Sequence, residues 1–130
     1  MTGNEYQKLA SRTNDGLASN RLWGKLEQLD FFDSGRASDI GGVINACLGL
    51  SGEVGELTDM VKKWVFHEKT LDETHLKKEL GDVMWYVAMM CQSIGWELDD
   101  VLQMNIDKLI ARYPEGFDVV KANNRQEGDV

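Results

Sequence analysis

Two pairs of acids constrain this chain more than any other feature. Glu53 and Glu56 stand three residues apart in Gly49-Leu-Ser-Gly-Glu-Val-Gly-Glu-Leu57, and Glu79 and Asp82 repeat the spacing in Lys78-Glu-Leu-Gly-Asp-Val83. On a helix three residues turn about 300°, so each pair shares a face. Stepping about 100° per residue from Glu53 places Ala46, Leu57, Met60 and Trp64 within about 40° of it. Val54 and Val61 complete that apolar arc, and Ser51, Asp59 and Lys62 fall opposite. The same count from Glu79 brings Leu76, Val83, Tyr86 and Met90 within about 60°. Glu56 and Asp82 lie at the margins of their stripes. Two helices therefore each aim a carboxylate into a packing face, where a bare charge would cost several kcal/mol. Lysines, shared protons or metal ions could neutralise the group. With four acids and no inward-facing base, a hard divalent cation held by oxygen ligands is favoured.

Around these pairs the pattern is helical throughout. A helix is predicted from Asn4 to about Ala18, with turn residues at Asn14-Asp15-Gly16, and a second from Asn20 to Asp30. Phe31 to Arg36 reads as a loop with buried aromatics. Ser38 or Asp39 can cap a long helix to about Phe66, despite glycines at 41, 42, 49, 52 and 55 that each cost about 1 kcal/mol against alanine. A kinked or broken helix is the alternative there. His67 to Leu71 form a turn, Asp72 caps a helix to Ile94, and Gly95 ends it. Trp96-Glu97-Leu98 opens the last helix, which stops near Tyr113 because Pro114 cannot continue it. No strand signal occurs. The expected fold is an all-α antiparallel helical bundle of four-helix type over 1–118, with a polar and partly disordered tail over 119–130.

The remaining composition excludes several classes. The 130 residues make one domain. A net charge of −8 argues against nucleic-acid polymers and anionic membranes as partners. No apolar run could span a bilayer and no signal peptide is visible, so a cytoplasmic protein is expected. Cys47 and Cys91 read as small core residues rather than a disulfide. His67 and His75 lack a metal-binding spacing and are expected to be exposed. There is no P-loop and no Ser-His-Asp or Cys-His set.

The last helix carries Asn105, Lys108 and Arg112 on one strip about 60° wide, suited to holding phosphate oxygens. Tyr86, Trp23 and Trp64 offer aromatic faces that could stack a base, although helical aromatics are more often core.

These segments resemble the MazG-like branch of the all-α nucleoside triphosphate pyrophosphohydrolases. The resemblance rests on Glu53-Val-Gly-Glu56, on Glu79-Leu-Gly-Asp82 with Val-Met-Trp-Tyr86, and on Asn105-Ile-Asp-Lys108-Leu-Ile-Ala-Arg112-Tyr113-Pro114-Glu-Gly-Phe117. Tyr6 to Thr13 fits the family's first helix, and the likeness is weakest over 19–37. It implies hydrolysis of a deoxy or non-standard nucleoside triphosphate to the monophosphate and pyrophosphate. Glu53, Glu56, Glu79 and Asp82 would bind Mg²⁺, with Mn²⁺ able to substitute. Glu53 or Glu56 would orient a water, Lys108 would offset developing charge, and Asn105, Lys108, Arg112, Tyr113, Tyr86 and Trp23 would contact the nucleotide. A homodimer or homotetramer with sites near subunit contacts is implied. Two other readings compete: a non-catalytic helical interaction module, and a redox di-metal carboxylate bundle, which would want the Glu-x-x-His pairs that this chain lacks.

Overall fold

The computed structural model describes residues 1–28, 39–126 and 128, and every regular element among them is helical. The helices are α1 (Gly3–Ala10), α2 (Ala18–Glu27), α3 (Ile40–Phe66), α4 (Glu73–Ile94), α5 (Leu98–Arg112) and α6 (Val119–Asn123). The loop expected over Phe31 to Arg36 and the cap expected of Ser38 lie outside the described residues.

α1 starts in a reciprocal cap. The Glu5 backbone N–H donates to Thr2 Oγ1 at 3.1 Å and the Thr2 N–H donates to Glu5 Oε2 at 2.6 Å. It ends sooner than expected, at Ala10, and passes into a single 3-10 turn at Ser11–Thr13. Asn14 and Asp15 then turn the chain by accepting from the backbone N–H groups of Gly16 and Leu17. These side-chain bonds compete with the helix and stop it well short of Ala18.

α3 is unbroken over its 27 residues, so the periodic apolar pattern outweighs the glycines. Asp39 occupies the cap position without a side-chain cap bond. Its backbone N–H instead donates to the Ser93 carbonyl at 2.8 Å, tying the start of α3 to the end of α4. The close approach there uses Gly42, where a Cβ would collide with Ser93 Oγ. α4 is capped by Asp72, which accepts from the His75 N–H at 3.0 Å, and it closes on Gly95 at φ 83°. Among the described residues, α3 and α4 form an antiparallel pair that dominates the tertiary contacts; α2 touches α3, and α5 has no comparable neighbour. A short α6, capped by Asp118, forms in the stretch expected to be a polar tail.

The core is small. Among the described residues only Ala46, Glu79, Cys91 and Ile94 are buried. Cys91 is a core residue as expected, but Cys47 is exposed. Val54, Val61 and Trp64 of the predicted apolar arc are likewise exposed, while Glu53, Leu57 and Met60 are half-buried. The arc is wider than the part that α4 covers.

Candidate active site

The middle of the α3/α4 pair brings acids from both helices together. Glu53 and Glu56 come from α3 and Glu79 from α4, and one carboxylate oxygen of each lies within 4.8 Å of those of the other two. Their burial grades from Glu79, which is buried, through Glu53, half-buried, to Glu56, exposed. Burial lifts the Glu53 carboxyl above its ordinary range first, followed by the negative charges of Glu56, Asp82 and Glu79. A hydrogen bond to Glu79 adds to the effect. Three acids this close favour one shared proton or one bound cation over three bare charges. The donor set is all oxygen and partly desolvated, which fits a hard divalent ion.

Asp82 stands one turn beyond Glu79 on α4. It is exposed, and it is felt at Glu53 through its charge rather than as a member of the tight group. A cleft of about 440 Å³ opens beside the cluster toward the turn between the helices. Its walls include Glu56, Glu79, Gly52, Gly55, Lys69 and His75. Gly52 and Gly55 are bordered by open space, so their missing side chains leave the approach to the glutamates clear. Lys63 also lines the cleft but is bound to Asp59 at 2.5 Å. Lys63 and then Lys62 hold the Asp59 carboxyl below its ordinary range.

The residues expected to meet the nucleotide are not gathered here. Lys108 and Arg112 line a separate cleft of about 430 Å³ with Lys121, Asn124 and Arg125 from the end of the chain. Asn105 is exposed on α5. Tyr113 packs on Phe117 with ring centres 5.4 Å apart, and the Arg112 guanidinium sits 5.9 Å from the Tyr113 ring centre. Tyr86 is half-buried against Gly49 and meets Trp85 edge-on at 4.9 Å, so its ring is engaged in the α3/α4 contact. Trp23 is exposed on α2.

One contact was not anticipated from the sequence. His75 is exposed as expected, but its Nε2 lies 2.7 Å from Glu79 Oε1. The signal was available in the four-residue spacing of His75 and Glu79, which puts both on one helix face.

Comparison with known proteins bears on this arrangement of acids. The MazG nucleotide pyrophosphohydrolase domain matches residues 44–117, a segment holding all four acids, Asn105, Lys108 and Arg112. The chain belongs to the MazG family. Its all-helical architecture agrees with the MazG fold. The Gene 37 protein of Mycobacterium phage L5 is 36% identical over 98 residues, covering 71% of this chain and 84% of that protein. No solved structure matches the chain. Membership makes this a domain of a pyrophosphohydrolase family, and the matched segment contains Glu53, Glu56 and Glu79, which converge between α3 and α4. No described helix is long and apolar enough to cross a membrane.

Proposed function

We propose that this MazG domain hydrolyses a nucleoside triphosphate, deoxy or non-standard, to the monophosphate and pyrophosphate, and so clears such nucleotides from the pool. The observation that carries the reading is the convergence of Glu53, Glu56 and Glu79 in a chain of this family. Those three would hold Mg²⁺, or Mn²⁺ in its place, and Asp82 would join them by a change of side-chain rotamer. The cation would supply charge neutralisation of the phosphates and a more acidic water.

The protein's own groups divide the remaining work. Glu79 is anchored in the α3/α4 interface and fixes the site. Glu56, exposed at the mouth, can accept a proton from a water and orient it toward phosphorus. Glu53, beside Glu56 in the same group, is suited to share that role. Lys108 and Arg112 carry fixed positive charge for phosphate oxygens, with Asn105 a neutral donor beside them.

Within one chain those α5 groups border a different cleft from the acids. We therefore place the complete site in a homodimer or homotetramer, with α5 of one copy facing the acids of another. The exposed apolar surface supports association. Trp85, Met84 and Leu80 on α4 and Ile106, Leu109 and Ile110 on α5 are all open to solvent in the single chain. Exposed apolar side chains in such number favour a contact surface.

The test is product analysis over a panel of standard and modified (d)NTPs with Mg²⁺. Pyrophosphate and monophosphate in equal amounts are expected from at least one nucleotide. Stepwise release of orthophosphate, or no turnover of any nucleotide, would contradict the reading; the latter, with no effect of metal on stability, would favour a non-catalytic interaction module.

A further inference from the structure

The Asp72 cap fixes the first turn of α4 through the His75 backbone N–H, and one turn later the His75 imidazole lies against Glu79. The two ends of this contact differ in exposure. The Glu79 side chain is 11% exposed and that of His75 56%, so the ring covers the carboxylate from the solvent side. A glutamate has three side-chain torsions, and a free carboxylate among acids would turn away from them. Bonding of one oxygen to the ring of a residue whose backbone is held by the cap restricts that freedom.

We propose that His75 is a positioning residue for Glu79: its Nε2–H donates to Oε1 and holds the carboxylate turned toward Glu53 and Glu56. The tautomer follows from chemistry, because an ionised carboxylate only accepts. His75 acts through Glu79, and its nitrogens are not part of the convergent acid group. The cation then meets an acid already oriented and does not bear the cost of ordering it. Partners of this kind, bonded to a metal ligand rather than to the metal, change affinity by about 10- to 100-fold when lost.

This inference rests on the cation-binding reading of the acids, and the experiment separates the two. Mn²⁺ binding to the full chain is measured by calorimetry for the wild type, H75A, H75F and H75Q. Thermal unfolding of each metal-free protein is recorded alongside. H75A, which removes the ring, and H75F, which keeps the ring but no N–H, are expected to weaken Mn²⁺ binding by about 10-fold or more with metal-free unfolding unchanged. In H75Q the amide N–H reaches the place of Nε2, and most of the affinity is expected to return. Wild-type affinity in H75A and H75F, or no recovery in H75Q, would overturn the positioning role while leaving the cation site intact. Failure of the wild type to bind Mn²⁺ would overturn the cation reading and this role with it.

Discussion

The ring of Tyr86 fills the space above Gly49 that any side chain there would need. This contact sets how closely α3 and α4 approach near the acids. A methyl group at Gly49 would force the ring aside or push the helices apart. G49A should therefore destabilise the protein by about 1–3 kcal/mol, although alanine is the better helix former. Gly52 and Gly55 face open space, so G52A and G55A should raise the unfolding temperature of the metal-free protein. Thermal unfolding of the three variants checks the contrast, and equal effects at all three positions would contradict it.

The crowded acids make a second prediction about metal-free stability. Glu53 is raised above the ordinary carboxylate range, so its charged form is disfavoured in the fold. Its favourable share of stability is present at low pH, with the proton bound, and is lost as pH rises through the raised value. E53Q removes that loss. At neutral pH without metal, E53Q should melt at a higher temperature than the wild type, and Mg²⁺ should stabilise the wild type more than the variant. Calorimetric melts with and without Mg²⁺ test this directly.

Acid sensitivity runs the other way for the paired surface carboxylates. Asp15 is held below the ordinary carboxylate range by Arg21, Asp59 by Lys63 and Lys62, and Asp72 by the His75 backbone N–H. Their contributions are present above the unfolded value and are lost as pH falls through the lower folded one. D59N should lower stability slightly at neutral pH, where the pairing with Lys63 and Lys62 contributes, and converge with the wild type as the carboxyl is protonated in acid. A pH series of urea melts shows whether it does.

If α5 of one copy serves the acids of another, two inactive variants can repair each other. E79Q lacks an acid and K108A lacks a phosphate contact, so mixed oligomers contain sites with both intact. Unfolding and refolding the two together should recover a fraction of wild-type turnover that neither shows alone. No recovery, with mixed oligomers demonstrated by native mass spectrometry, would place the whole site within one chain. W85D or I110D, which put charge on exposed apolar positions, should shift sedimentation toward the single chain.

Much of the fold was legible because the apolar period of α3 and α4 is strong and the signals at Asp72, Gly95 and Pro114 are local chemistry. The four-residue spacing of His75 and Glu79 was equally present, but it passes unnoticed when histidines are weighed only as metal ligands. The exposure of Cys47 and Trp64 was not legible: an apolar side of a helix does not say whether its cover comes from the same chain. The same limit applies to Lys108 and Arg112. Periodicity placed them together on α5 but carries no information about which cleft α5 would border. The end of α1 at Ala10 was not legible, because the Ser11 and Thr13 hydroxyls bond the Lys8 and Ala10 carbonyls and the chain tightens into a 3-10 turn ahead of Asn14.

The central claim is that the acids between α3 and α4 make this chain a pyrophosphohydrolase, and paired activity and folding measurements test it most directly. Pyrophosphate release with Mg²⁺ is followed for the wild type, E53Q and E79Q, with helical content recorded for each. The expected result is turnover by the wild type and a loss greater than about 100-fold in both variants with helical content retained, since removing a ligand should cost more than removing its support. Undiminished pyrophosphate release by both folded variants would contradict the account.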